Sequence, residues 1–120
     1  MKALSVRQPW ASLIASGKKT IELRTRKINF RGDVLICVSK HKQGTGPKGV
    51  AICIAEIIDC RPAIKDDSVN ACCEISQNEY AWILTNIRPV SHFPVKGSLG
   101  LFDVEVPSSV FPKKESHATI

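Results

Sequence analysis

The 120-residue sequence contains no apolar run near the roughly 18 residues that a membrane-spanning helix requires. Its first residues, Met1 to Arg7, also lack the apolar core of a signal peptide. These two absences predict a cytoplasmic protein that has no membrane partner. With 43% hydrophobic residues, the chain is long enough for one domain with a hydrophobic core and too short for two.

Patterns typical of metal sites and nucleophilic enzymes are also missing. No Cys-x-x-Cys spacing occurs, and the histidines His41, His92 and His117 are scattered along the chain. No local motif indicates a Ser-His or Cys-His enzyme. The cysteines are odd in number, and three lie in or at the end of apolar segments, so we expect buried, reduced thiols and neither a metal nor another cofactor. The cysteines are Cys37, Cys53, Cys60, Cys72 and Cys73.

Positive charge, by contrast, is abundant and unevenly distributed. The net charge is +6, and residues 1–48 hold eleven lysines and arginines against two acidic residues. Residues 49–120 hold six against nine. This asymmetry favours an anionic partner for the N-terminal half, with RNA or a nucleotide as the natural candidates. A solvated basic surface without a partner is the alternative.

Apolar periodicity predicts five or six strands. In the fourth strand, large Val50, Ile52 and Ile54 alternate with small residues, as expected for a curved, closing sheet. Pro89 is predicted to end the strand that begins at Tyr80, because proline lacks the N–H group that strand pairing uses. The predicted strands span residues 2–6, 19–26, 33–40, 50–58, 80–87 and 99–106.

One helix is predicted to begin near Pro9 and to end at Gly17, because proline suits the start of a helix and glycine its C-terminal cap. The sequence does not decide whether a second, short helix begins near Asp66-Asp67-Ser68. These elements indicate an α+β fold: a small, mostly antiparallel β-barrel with one or two flanking helices. We expect the domain to span residues 1–106 and a mobile tail to span residues 107–120.

The stretch from Gly17 to Arg24 combines a lysine, a glutamate and an arginine where the helix gives way to a strand. The period of two places Glu22 and Arg24 on one side of that strand, and Lys19, at its first residue, can swing toward Glu22. An arginine offers donors to a phosphate, and a glutamate accepts hydrogen bonds from the exocyclic amine of a nucleobase. The pair suits a nucleotide pocket, and an intramolecular salt bridge along the strand is the alternative.

Lys19 adds a catalytic hypothesis. A lysine partly removed from water can act as a base or nucleophile, whereas a carboxylate beside it opposes that change. The residues alone do not decide between the two effects. If the protein is an enzyme, Lys19 and Glu22 are the candidate catalytic residues.

The motif Gly17-x-Lys19-x-x-Glu22-x-Arg24 resembles the signature of the ASCH domain family. It is preceded by Ser5-x-Arg7-Gln8-Pro9-Trp10-Ala11, and the segments Tyr80-Ala81-Trp82-Ile83-Leu84 and Pro94-Val95-Lys96-Gly97-x-x-Gly100-Leu101-Phe102 are similar to the family's later strand motifs. The resemblance implies a PUA-like barrel with a cleft over the motif strand, and it implies binding of RNA or nucleotides. The ligand-binding residues that it implies are Arg7, Gln8, Trp10, Lys19, Glu22, Arg24 and Lys96.

Some branches of this family are enzymes, including ribonucleases and amidohydrolases that act on N4-acetylcytidine. This chain departs from the amidohydrolase pattern at Glu22, where that branch has a threonine. A carboxylate brings a charge and, when ionised, cannot donate a proton. The branch also uses a separate downstream glutamate, for which Glu74 and Glu79 are both candidates. We therefore predict an RNA- or nucleotide-binding domain, with hydrolysis of modified nucleosides or RNA as the alternative.

Overall fold

The computed structural model describes residues 1–41 and 46–110 of the chain. The strands are β1 Lys2–Val6, β2 Ile21–Arg24, β3 Gly32–Val38, β4 Val50–Pro62, β5 Tyr80–Pro94 and β6 Leu101–Asp103, and the helices are α1 Trp10–Ala15 and α2 Ser68–Ala71. All six strands form one sheet, curled into a half-barrel, in the order β2-β5-β4-β3-β1-β6. β1 and β3 are parallel, and the other neighbours are antiparallel. This arrangement confirms the predicted α+β fold.

The helix predicted near Pro9 is α1. It buries Ala11 and Ile14 in the hydrophobic core. Gly17 follows the helix with a φ of +81° and donates its N–H to the carbonyl of Ile14 over 2.9 Å. Because this left-handed conformation favours glycine, Gly17 ends the helix and turns the chain toward β2. The charged motif therefore lies between a helix and a strand, as predicted, although Lys19 precedes β2 instead of opening it.

β4 is longer and less regular than predicted. It ends at Pro62, and its pairing shifts register between Ala51 and Cys53 and again after Ile54. At such a bulge the side chains that follow turn to the other face of the sheet. The predicted alternation of large and small residues is therefore wrong: Ile54 shares a core with Ala51, whereas Cys53 shares one with Ile52.

The prediction that Pro89 ends its strand is also wrong, because β5 continues to Pro94. Pro89 faces Cys53 beside the register shift of β4, where the ladder is interrupted. Proline is tolerated at a bulge, since its missing N–H group removes no regular ladder hydrogen bond there. The irregular pairing thus carries one long strand past the proline.

The C-terminal strand is shorter than predicted. β6 ends at Asp103, which faces Lys2, the first residue of β1, so no strand residue remains to extend the ladder. Farther along, the 3-10 helix Ser108–Val110 buries Val110, which is 7% exposed. The rest of the predicted tail falls on residues 111–120, which lie outside the described residues, and its mobility stays a prediction.

Three clusters of buried apolar residues pack on the sheet. The two with the most residues, which we call the larger and the smaller core, lie on opposite faces, because successive strand residues point to opposite sides. The third cluster joins Ala71 of α2 to Ile21 and Ala81. Cys53 lies in the larger core, and Cys37 lies in the smaller. Burial raises the pKa of both thiols to about 12, so they stay protonated. All five cysteines are free and Cys60 is also buried, whereas Cys72 and Cys73 are partly exposed. The smaller core consists of Ala3, Leu35, Cys37, Ala51, Ile54, Val90 and Val110.

The second, short helix, which the sequence left undecided, is present as α2. A 3-10 turn over Lys65–Asp67 precedes it. Asp67 is the N-cap residue of α2, and its side chain is buried. Val69 points to solvent and is 79% exposed. Among the described residues, no helix is long and apolar enough to cross a membrane.

Candidate functional site

Lys19, Glu22 and Arg24 form one largely buried cluster of charges. Glu22 Oε2 accepts a hydrogen bond from Arg24 Nε over 2.8 Å and lies 2.7 Å from Arg24 Nη2. Glu22 Oε1 lies 3.7 Å from Lys19 Nζ. Lys19 is 2% exposed and Glu22 is 6% exposed. The salt bridge within the motif therefore exists, and each carboxylate oxygen of Glu22 faces a different cation.

Each cation has a second anchor outside the motif. Arg24 Nη2 donates to the carbonyl of Ser5 over 2.9 Å, and the guanidinium lies 5.8 Å from the centre of the Trp82 ring. Lys19 Nζ donates to the carbonyl of Ala71 over 2.5 Å. No group in the described residues donates a hydrogen bond to Glu22 Oε1. The cluster thus combines fixed cations with one carboxylate oxygen that can still accept a hydrogen bond.

This cluster borders a cavity of about 810 Å³, which we call the main cavity. Its volume falls within the range of roughly 300–1,000 Å³ that is usual for small-ligand sites. The other walls come from the ends of β1 and β3, the segment after α2 and residues 95–100. The predicted ligand-binding residues that border it are Arg7, Trp10, Lys19, Glu22, Arg24 and Lys96.

Three exposed cations, Arg7, Lys40 and Lys96, form what we call the basic edge of the main cavity. Arg7 and Lys40 follow the parallel strands β1 and β3, whose ends meet where Ser39 donates its N–H to the carbonyl of Val6. None of the three cations has a carboxylate partner among residues 1–41 and 46–110. Their charges are therefore available to an anionic ligand.

An acidic side of the main cavity comes from the segment between α2 and β5. Glu74 and Glu79 both border the cavity, so its shape does not choose between these two candidates. Glu79 Oε1 accepts a hydrogen bond from the N–H of Ser76 over 2.6 Å, and Glu74 is exposed. Burial raises the pKa of the adjacent Cys73 thiol, against the opposing effect of Lys19. Within the described ranges, no group of three His, Cys, Asp or Glu side chains is arranged to hold a metal ion.

Gln8, the seventh predicted ligand-binding residue, does not border the main cavity. Its side chain is buried, and its Oε1 accepts a hydrogen bond from the backbone N–H of Ser12 over 3.0 Å. Its Nε2 donates to the carbonyl of Pro47 over 3.3 Å. Gln8 thus satisfies an open N–H group in the first turn of α1 and ties this helix to the segment before β4.

Residues 95–100 form a close wall that the sequence does not reveal. A Cβ atom added at Gly97 would lie 2.7 Å from Ser5 Oγ, so only glycine fits this contact without a shift. Ser5 Oγ is buried without a hydrogen-bond partner in the described part of the chain. Leu99, on the same wall, is 96% exposed. Ser5, Gly97 and Gly100 occur in the motifs quoted above, but their contacts depend on strand pairing that periodicity does not show.

A second cavity of about 300 Å³ also borders Arg24. It shares Arg24, Leu99 and Gly100 with the main cavity. Arg26 borders it, and the buried indole of Trp82 donates its Nε1–H to the backbone carbonyl of Arg26 over 3.0 Å. The two cavities therefore share part of their lining, and cations border both.

The fold and the site define a small α+β half-barrel domain with a charged cleft at the junction of a helix and a strand. The sequence matches the family model of the ASCH domain over residues 4–93. The chain therefore belongs to the ASCH domain family. No curated protein matches the sequence.

Solved ASCH structures share the fold. The chain is similar to the crystal structure of ASCH from Zymomonas mobilis, with a TM-score of 0.67, 16% identity and coverage of 87% of each chain. Two mutant forms of that protein give TM-scores of 0.63 at 16% identity and 0.65 at 15% identity. They are covered over 87% and 89% of their lengths, and each match covers 87% of this chain. At this level of identity the likeness extends to the fold alone.

Proposed function

We propose that this domain binds a nucleotide, free or within RNA, in the main cavity. One observation supports this proposal above the others: Glu22 Oε1, a buried acceptor, shares a cavity with three cations that have no carboxylate partner in the described residues. A phosphate suits the basic edge, and an exocyclic amine of the base suits Glu22. The cavity thus offers both halves of a nucleotide a group of matching chemistry.

The carboxylate also predicts which bases bind best. Cytosine presents an amino donor where uracil presents a carbonyl oxygen, and that oxygen would repel Glu22. Cytidine monophosphate should therefore bind more tightly than uridine monophosphate. Isothermal titration calorimetry with both nucleotides tests this order, and equal affinities would argue against contact between the base and Glu22.

The basic edge predicts binding that depends on salt. Affinity for short single-stranded RNA should decrease as salt rises from about 50 to about 200 mM. A plot of log K against log salt concentration should have a slope of about −0.7 for each neutralised phosphate. Replacing Arg7 and Lys96 together by glutamine should make the total slope less steep, because fewer phosphates are neutralised. Lys65 is exposed and lies outside both cavities, so Lys65→Gln should leave the slope unchanged. Binding that is insensitive to salt, or absent for RNA and nucleotides alike, would refute the proposal.

Hydrolysis of a modified nucleoside or RNA is the second candidate, favoured by the burial of Lys19 beside Glu22. Hydrolysis of an amide such as that of N4-acetylcytidine adds water across the C–N bond, with the hydroxyl on the acyl carbon and the proton on the amine. In this proposal Glu22 Oε1 accepts a proton from the attacking water, and Lys19 donates toward the developing oxyanion. Chromatography of N4-acetylcytidine and labelled RNA after incubation tests for products, and turnover that survives Lys19→Ala would exclude this role for the lysine.

A further inference from the structure

The C-terminal end of α2 runs beside the residues that lead into β2. Lys19 Nζ donates to the carbonyl of Ala71 over 2.5 Å. One residue on, the N–H of Thr20 donates to the carbonyl of Asn70 over 2.9 Å. One residue earlier, the carbonyl of Lys18 accepts a long contact from the thiol of Cys72 at 3.7 Å. Three consecutive residues thus contact the last turn of α2, and the position of the Lys19 ammonium depends on where α2 lies.

α2 has only four residues, and a helix this short has little stability of its own. Its N-terminal end is held by Asp67, a buried residue that is 5% exposed. Both carboxylate oxygens of Asp67 accept hydrogen bonds from Arg61 over 2.8 Å, and Oδ2 also accepts one from the N–H of Ile64 over 2.8 Å. Arg61 lies in β4 and pairs with Ala81 of β5. This ion pair therefore ties the N-terminal end of α2 to the sheet, while the burial of Ala71 against Ile21 and Ala81 holds its C-terminal end.

We propose that the Arg61–Asp67 ion pair is a positioning device for Lys19. Through α2, it fixes the carbonyl of Ala71 where that carbonyl receives the ammonium, which leaves Lys19 Nζ beside Glu22 on the cavity wall. Neither Arg61 nor Asp67 borders the main cavity, so neither side chain touches a ligand bound there. The benefit to a ligand rests on the proposed function, whereas the position of the ammonium does not.

The accessibility of Lys19 in the free protein tests this device. Acetylation of the native protein with an N-hydroxysulfosuccinimide ester, read by mass spectrometry, reports how often each lysine is exposed. Asp67→Asn should raise the acetylation rate of Lys19 by about tenfold, the factor expected for loss of one charge-assisted hydrogen bond. Exposed Lys27, which borders neither cavity, should react at an unchanged rate and serves as the internal standard.

Variants of Arg61 provide a graded version of the same test. Arg61→Gln should act like Asp67→Asn, and the double variant should add little, because both changes break one interaction. Arg61→Lys retains the charge but lacks the planar fork of donors, so it should give a smaller increase. The two single Arg61 variants leave the Asp67 carboxylate in place and carry the test if Asp67→Asn does not fold.

Asp33→Asn is the matched control. It breaks another doubly hydrogen-bonded pair, Arg88–Asp33, which joins β5 to β3. Within the described residues, neither of these side chains is hydrogen-bonded to α2. Wild-type protection of Lys19 in folded Asp67→Asn and Arg61→Gln would overturn the proposal, and so would an equal rise in Asp33→Asn. Because the readout needs no ligand, its failure is distinct from a failure to bind nucleotides.

Discussion

The cleft and the open surface of the sheet each hold an arginine paired with a carboxylate, but in opposite surroundings. In the cleft, the side chain of Glu22 is 8% exposed and faces two cations. On the sheet, Arg88 of β5 donates two hydrogen bonds to Asp33 of β3, and these side chains are 39% and 45% exposed. Water can replace either partner of the exposed pair, whereas it reaches the buried cluster poorly. Burial therefore makes one pair a candidate site and leaves the other a surface cross-link.

The sharpest way to test this contrast is to remove each carboxylate charge in turn. Glu22→Gln keeps the shape of the side chain but leaves Lys19 buried without a counter-ion. The free energy of unfolding should fall by about 3–5 kcal/mol, the range found when one partner of a buried pair is removed. Urea denaturation followed by tryptophan fluorescence measures this loss.

The matched change on the sheet, Asp33→Asn, should lower the free energy of unfolding by only about 0–1 kcal/mol. Equal losses in the two variants would show that burial does not separate the two pairs. A loss of stability confined to Glu22→Gln would show that the domain depends on the buried carboxylate of the cleft and not on the exposed one.

Added volume at Gly97, in the wall formed by residues 95–100, should destabilise the domain somewhat less than the loss of the Glu22 charge does. Gly97→Ala places a methyl group 2.7 Å from Ser5 Oγ, and overpacking of this kind should lower the free energy of unfolding by about 1–3 kcal/mol. Ser5→Ala alone should be neutral or stabilising, because the hydroxyl has no partner among the described residues.

The double variant of Ser5→Ala with Gly97→Ala should recover most of that stability. The added methyl group then meets only the Cβ of residue 5, at an ordinary contact distance of 3.8 Å. Thermal unfolding of all four proteins closes the double-mutant cycle. Additive effects, with no recovery in the double variant, would mean that the clash at Gly97 lies elsewhere.

Much of this contrast could be predicted from the sequence. The period of two placed Glu22 and Arg24 on one side of β2, and the position of Lys19 ahead of the strand allowed its ammonium to turn toward Glu22. These are local relations, which the backbone period fixes. The role of Lys40 in the basic edge could not be predicted, because it depends on the parallel pairing of β1 with β3. Gln8 shows the reverse case. It occupies a position of the family motif, but its side chain accepts a hydrogen bond from Ser12 of α1 and does not border the main cavity.

The irregular strands mark a second limit of the sequence. The alternation of Val50, Ile52 and Ile54 is clear, yet the register shifts in β4 send Ile54 to the other core. A bulge arises from the pairing of one strand with its neighbours, so it leaves no periodic signal in the strand itself. The same pairing carries β5 past Pro89.

The Arg61–Asp67 pair lies between the two extremes, since its arginine side chain is 39% exposed and its carboxylate 7%. The hydrogen bonds from Arg61 lower the pKa of Asp67, and the N–H of Ile64 acts in the same direction, against the effect of burial. A lowered pKa in the folded state contributes stability above the unfolded pKa, and this stability is lost as pH falls through the folded value.

The urea midpoint of the wild-type protein should therefore fall as the pH decreases below roughly 4, the ordinary pKa of an aspartate. Asp67→Asn should start from a lower midpoint and lose less of it over the same pH range. Parallel pH profiles for the two proteins would show that Asp67 does not titrate differently in the folded and unfolded states.

The smallest expected effect is a difference between substitutions of two neighbouring cations, Arg26 and Lys27. Both side chains are exposed, but only Arg26 borders the second cavity. If a bound strand continues past Arg24, Arg26→Gln should weaken binding of a short single-stranded RNA by roughly two- to fivefold, as a single surface charge allows. Lys27→Gln removes the same charge and should have less effect. Titrations of a mononucleotide should not distinguish the two variants, and an equal loss of RNA affinity in both would assign the effect to net charge and not to the second cavity.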